Sequence, residues 1–192
     1  MKIPFTNEEN KYLDVLFTCH HVISKEYLES EKDINILFDN EVKIISLKKT
    51  RRKWYDKNLD YTCIEIKEKD NIDNNFYIYN NNNNSFLNNG TINIIIFSYV
   101  ESEKNGFSDG FIGSFKDFHF DHNCNTIPGC SGGVIVDKSD NSVIGMHTGG
   151  IKNRYCKRGV FLKDIIENIK SKPLPQQYEN NLEDEIEMNV ID

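Results

Sequence analysis

Apolar residues in this 192-residue chain come in short runs or at every second position, and turns rich in Asn, Asp and Gly separate them. That spacing describes half-buried strands. It predicts strands over residues 13–19, 34–38, 42–47 and 62–66 in the first part of the chain. In the second part it predicts strands over 92–98, 107–115, 118–123, 134–136, 143–147 and 160–162. Only residues 163–170 have a helical pattern, and Pro173 and Pro175 stop it. Short strands with frequent turns point to an all-β protein built as a pair of barrels. Residues 73–90 are Asn-rich, with five consecutive Asn at 80–84, and read as a disordered polar linker or insertion. The expected layout is a first barrel over 1–72, the linker over 73–90, a second barrel with its C-terminal helix over 91–172, and a tail over 173–192.

Composition narrows the partners. At 38% hydrophobic the chain can bury a core of its own. No apolar run approaches the ~20 residues that span a bilayer, so no membrane role is expected. The net charge of −7 is uneven, because Glu179, Glu183, Asp184, Glu185, Glu187 and Asp192 lie in a tail that has no Lys or Arg. The tail reads as acidic and disordered, and the body is close to neutral. That argues against nucleic acid, which calls for a basic patch. Lys48-Lys49-Thr50-Arg51-Arg52-Lys53 is basic, but reads as a solvated loop between strands. Five cysteines, at 19, 63, 124, 130 and 156, show no paired spacing and follow no secretory signal. Free thiols and a cytoplasmic location are the simpler expectation.

The candidate chemistry centres on Gly129-Cys130-Ser131-Gly132-Gly133. A serine hydroxyl needs a base to become a nucleophile, and the oxyanion it creates needs backbone N–H donors aimed at one point. Glycines on both sides allow the sharp turn that supplies such donors. Taken alone, the pentapeptide reads equally well as a hairpin connection. The chain also has a histidine pair, His20-His21, at the end of the first apolar run, and Asp60 where the strand over 62–66 begins. Each of these alone is an ordinary strand-end residue.

In the order His, Asp, Ser, these three contexts resemble the trypsin-like (chymotrypsin-fold) serine endopeptidases over about residues 10–170. That resemblance implies two six-stranded Greek-key barrels in one peptidase domain over 1–172. It places His21, followed by Val22 and Ile23, in the base position, with Asp60 as the orienting acid and Ser131 as the nucleophile. The N–H groups of Gly129 and Ser131 would form the oxyanion hole. Cys130 is a neighbour rather than the attacker, because in related viral enzymes the nucleophile directly precedes Gly-Gly. Thr126, together with Gly145-Met146-His147-Thr148-Gly149-Gly150, is similar to the pocket motifs of bacterial glutamyl endopeptidases and of picornavirus main proteases. The similarity implies cleavage after Glu or Gln. An imidazole N–H and a hydroxyl suit a carboxylate or amide oxygen. Gly149 and Gly150 fit a strand edge that pairs with an extended substrate. The bland alternative for His147 is a satisfied core histidine.

No cofactor is implied. His119, His122 and Cys124 match no strong zinc spacing, so no metal is expected there, and His122 reads as structural. The family's Gly-rich first strand has at most a remnant here, before a turn over 6–10, so the first barrel is expected to be N-terminally truncated, with an open edge beside His21. Two functional classes remain: a serine endopeptidase acting on protein or peptide substrates, and a catalytically weak or inactive protease-fold module that binds extended peptides or protein partners. The sequence is silent on oligomeric state.

Overall fold

Six strands in the second half close on themselves. They are β7 (Ile92–Val100), β8 (Lys104–Lys116), β9 (His119–His122), β10 (Val134–Asp137), β11 (Val143–Gly150) and β12 (Lys157–Phe161), paired antiparallel in the barrel order β10-β11-β12-β9-β8-β7. This computed structural model describes residues 1–4, 12–38, 41–72, 91–100, 104–150 and 156–172. The Asn-rich segment over 73–90, the turn over 6–10 and the tail over 173–192 lie outside them. Alternation decides which side chains enter the barrel: Ile94 and Ile96 of β7 point inward, with Asn93 and Phe97 outward. Phe120, Ile135, Ile144 and Phe161 complete that core.

Among the described residues the first half also has six strands, divided four and two. β1 (Lys2–Pro4), β2 (Tyr12–Thr18), β6 (Tyr61–Glu65) and β5 (Lys53–Asp56) form one sheet in the order β1-β2-β6-β5. β3 (Asp33–Phe38) and β4 (Glu41–Ser46) pair only with each other among the described residues. The two pieces meet through Ile34, Ile45 and Leu47 on one side and Ile64 on the other, with Leu28 from the short helix α1 (Lys25–Glu29). The expected remnant strand exists as β1. It pairs with Tyr12–Asp14 at the start of β2, and past Val15 that edge has no strand partner among the described residues.

Three features departed from the sequence pattern. β5 and α1 are too short to show a period, and Arg51 does not sit in a solvated loop. Its guanidinium is buried and holds Asp70 bidentately at 2.6 and 2.7 Å, while also donating to the carbonyls of Ser46 and Glu65. Lys53, at the other end of the same run, donates to the carbonyls of Leu28 and Leu47 and so ties α1 to the sheet.

The halves join through a third apolar cluster. Ile3, Val15, Cys19, Trp54, Tyr61 and Cys63 from the first half meet Met146, Val160 and the helix α2 (Leu162–Ser171). α2 places Leu162, Ile165, Ile166 and Ile169 on one buried face. Asn168 Oδ1 accepts the Tyr61 hydroxyl at 2.7 Å, and Lys172 donates to the Tyr55 carbonyl. An apolar cavity of about 250 Å³ lies beside this junction, lined in part by Phe17, Ile36, Ile66, Ile72, Met146 and Leu162. Among the described residues, no helix is long and apolar enough to cross a membrane.

Candidate active site

β2 and β6 are neighbours, and their pairing ends at Thr18 opposite Thr62. His21 therefore emerges just beyond one strand, beside the residue that opens the other. Asp60 occupies that opening with a φ of 51°, a left-handed conformation that Asp tolerates better than most residues. The His20 N–H donates to the Asp60 carbonyl at 3.1 Å. The Asp60 carboxylate then clasps His21 twice: Oδ1 accepts the backbone N–H at 3.0 Å, and Oδ2 lies 2.8 Å from Nδ1. A carboxylate can only accept, so Nδ1 carries the proton and Nε2 is left with a lone pair. Ser131 Oγ lies 2.9 Å from that Nε2 and donates to it.

Ser131 reaches this point on a turn that leads into β10. Gly129 has φ 101° and Gly132 φ 88°, both in the region that favours glycine. A Cβ on Gly132 would meet Thr18 Oγ1 at 3.3 Å, so the turn also depends on close approach to the end of β2. The turn is fixed by Cys130 N–H to Ile127 O at 3.2 Å and Gly133 N–H to Cys130 O at 3.0 Å. The Gly132 N–H and the His147 carbonyl pair at 2.8 Å, as do the His147 N–H and the Gly133 carbonyl. Among the described residues the N–H groups of Gly129 and Ser131 donate to no protein acceptor, so both remain available to a ligand. Cys130 is buried behind the turn, and the hydroxyl of Ser131, not this thiol, meets the imidazole.

His147 lies on β11, almost fully buried, and its Nδ1 is 3.1 Å from Nε2 of His122, equally buried on β9. Burial lowers both from the ordinary histidine value. His147 falls to about 4. His122 falls to about 3, with His147 adding to the effect. Both rings are neutral near pH 7, so one donates and the other accepts. This pairing was missed in the sequence, where His122 was read apart from His147. The available signal was alternation, which puts His122 on the same inward face of β9 as Phe120. Thr126 sits half-buried before the Ser131 turn, and among the described residues no hydrogen bond joins it to His147. Gly149 and Gly150 pair with Arg158 and Lys157 on one side. On the other side β10 pairs with β11 only as far as Met146. That leaves the edge at 148–150 open to an added strand.

His20, the other member of the pair, stacks its ring on Tyr55 with centroids 5.4 Å apart and takes no part in the cluster. His119 points elsewhere from His122, as strand alternation requires, and packs against Phe118. All five cysteines are free. Cys19, two residues before His21, is fully buried, and burial pushes its thiol up to about 12.

No match was found among curated protein sequences. The fold is similar to that of several solved proteases. The serine protease domain of the Sesbania mosaic virus polyprotein is 20% identical, with 80% of this chain and 79% of that one covered at a TM-score of 0.54. Deg5 is 12% identical, with 81% and 76% covered at 0.59. The active form of the Rv3671c protease from M. tuberculosis is 11% identical, with 82% and 73% covered at 0.61. At these identities the likeness speaks for the fold. The family model described as a trypsin-like peptidase domain matches residues 6–146, a span that contains His21, Asp60 and Ser131, and the chain therefore belongs to the trypsin-like peptidase domain family.

Proposed function

We propose that this chain is a serine endopeptidase that cuts after Glu or Gln. The observation that carries the reading is the continuous relay of Asp60 Oδ2, His21 and Ser131 Oγ at 2.8 and 2.9 Å, within the 2.6–3.2 Å reach of a nucleophile and its base. Ser131 Oγ attacks the scissile carbonyl as His21 Nε2 takes its proton. His21 then gives that proton to the leaving amine. Asp60 holds the tautomer this requires and stabilises the imidazolium. The free N–H groups of Gly129 and Ser131 receive the oxyanion. Water, activated by the same imidazole, releases the acyl group and restores Ser131.

The preference for Glu or Gln rests on His147 and Thr126. If His122 Nε2–H donates to His147 Nδ1, then His147 Nε2 carries a hydrogen for a side-chain oxygen in the pocket. The edge at 148–150 would bind the substrate as an added strand. An HtrA-type protease of similar fold, AlgW, has been solved with a tripeptide, which is in keeping with peptides as the ligand class.

A fluorophosphonate probe should label Ser131 in the folded protein, and His21→Ala should abolish the labelling. Folded protein that stays unlabelled would contradict the enzyme reading. A peptide-library profile then reads the pocket, where preference for Lys, Arg or Phe before the cut removes the roles of Thr126 and His147.

A further inference from the structure

Cys19 has no part in that chemistry, yet it lies against it. Its Sγ is buried one residue past the end of β2 and donates to the His147 carbonyl at 3.3 Å. Donor atoms from Cys19, His21 and Asp60 all lie within 4.8 Å of one another. The imidazole nitrogen nearest the carboxylate is Nδ1. A tetrahedral zinc ion, with Zn–S about 2.3 Å and Zn–N or Zn–O about 2.0–2.2 Å, holds its donors roughly 3–4 Å apart. The cluster reaches that spacing if the imidazole and carboxylate part slightly and the sulfur swings toward them. The His21 side chain is 49% exposed and the Asp60 side chain 24%, so the ring can turn aside to admit an ion from solvent. One thiolate, one imidazole and one carboxylate suit zinc, whereas magnesium and calcium call for oxygen donors.

We propose that Cys19, His21 and Asp60 form an inhibitory Zn²⁺ site that switches the peptidase off. The inhibition rests on the triad reading above, while the binding does not. Binding forms a Zn–S bond as the Cys19 S–H breaks and its proton passes to solvent. The ion takes the Nδ1 lone pair. The proton that Nδ1 carried leaves to solvent, and Nε2 takes one up from solvent. One Asp60 oxygen bonds to the ion in place of accepting from His21, and water fills the fourth position. One proton is released in total, and nothing is oxidised or reduced.

Inhibition follows from the tautomer. With Nδ1 on the metal, Nε2 becomes an N–H donor facing Ser131 Oγ and has no lone pair with which to take its proton. The ion sits on the far side of the imidazole from the nucleophile, so its bound water cannot replace the serine. A histidine and an aspartate alone supply only two donors. The buried thiol supplies the third.

The test titrates the intact protein with Co²⁺, whose thiolate charge-transfer band in the near ultraviolet reports a Co–S bond, and separately follows peptide hydrolysis with added Zn²⁺. The expected result is a band that saturates at one equivalent and vanishes in Cys19→Ser. Zn²⁺ inhibition should be reversed by chelator, with an inhibition constant at least about tenfold higher in Cys19→Ser. The variant's hydrolysis without metal should match the original. Circular dichroism checks folding, and Cys19→Ala serves if the serine variant does not fold. A band that survives loss of Cys19, or equal inhibition of both proteins, overturns the site. A Cys19-dependent band in a protein that hydrolyses nothing keeps the metal site and defeats the peptidase reading. Hydrolysis with no band does the reverse.

Discussion

The second half of the molecule carries Ser131 on a closed six-stranded barrel, whereas the first half carries His21 and Asp60 on a four-stranded sheet that packs on its companion hairpin but, among the described residues, pairs no strand with it. Closure pairs the barrel strands around the ring and leaves only the end of β11 at 148–150 open, whereas in the other half β2 past Val15 has no strand partner on one edge among the described residues. The local geometry at the candidate triad is nonetheless tight. What fixes His21 is the β2–β6 pairing just behind it and the double clasp from Asp60, both internal to the sheet. The sheet in turn is fixed from outside, by the shared apolar cluster and by α2. A barrel is one way to hold a catalytic pair, and a sheet pressed against a neighbour is another.

The largest expected effects break the relay from each side. Ser131→Ala removes the second half's contribution and should lower kcat by about 10⁶-fold while leaving the fold intact. Asp60→Asn removes the first half's clasp. The amide can donate to His21 and so favour the wrong tautomer, and the expected loss is about 10⁴-fold in kcat. Steady-state kinetics on a Glu-containing peptide measures both. A loss under tenfold for Asp60→Asn would mean that the sheet alone orients His21.

The second barrel was the more legible half for a physical reason. Ile92 to Ser98 is rich in β-branched and aromatic residues and follows turn residues, which reads as a strand, and the alternate positions Ile94 and Ile96 are the buried ones. Gly129 to Gly133 likewise announced a turn. In the first half Trp54 and Tyr55 lie on a four-residue strand, too short for a period, and Arg51 carries a charge that only a tertiary partner explains. Asp70 stands nineteen residues away, and nothing local in the sequence links the two. His122 and His147 are a third instance: each strand could be predicted, but the β9–β12–β11 order that brings them together is a property of the barrel.

Smaller effects compare the stability of the halves. Arg51→Met leaves the Asp70 carboxylate buried without its partner and should cost about 3–5 kcal/mol, read from urea midpoints. Ile135→Ala, a cavity in the closed barrel, should cost about 2–5 kcal/mol. Hydrogen exchange then separates the two variants: Arg51→Met should expose amides of β3 to β6 first, and uniform exposure would mean that the halves unfold as one unit. Acid probes the second half. The unfolded chain protonates His122 and His147 near 6.5, the folded protein only near about 3 and about 4. The stability they contribute is complete above about pH 6.5 and lost as pH falls through about 4. The loss begins below about pH 6.5 and, at about 1.4 kcal/mol for each pH unit by which a ring's folded value lies below its unfolded one, amounts to several kcal/mol over the two rings. Urea midpoints at pH 7.5 and 4.5, repeated in a His122→Phe variant, should show the dependence weaken.

The smallest expected effect tests how far the open half tolerates change. On β4, Val42 and Ile44 are 64% and 59% exposed, on the opposite face from buried Ile45. Leu37, the register partner of Val42, is exposed with them. The hairpin thus carries an apolar outer face that pattern reading alone would assign to a core. If solvent covers that face, Val42→Thr and Ile44→Lys should each shift stability by no more than about 0.5 kcal/mol. Ile45→Ala, one residue away but facing Ile64, should cost about 2–5 kcal/mol. A loss above about 1 kcal/mol for Ile44→Lys would mean that the outer face is covered in the folded protein. The hairpin would then be held from both sides, and the contrast with the closed barrel would narrow.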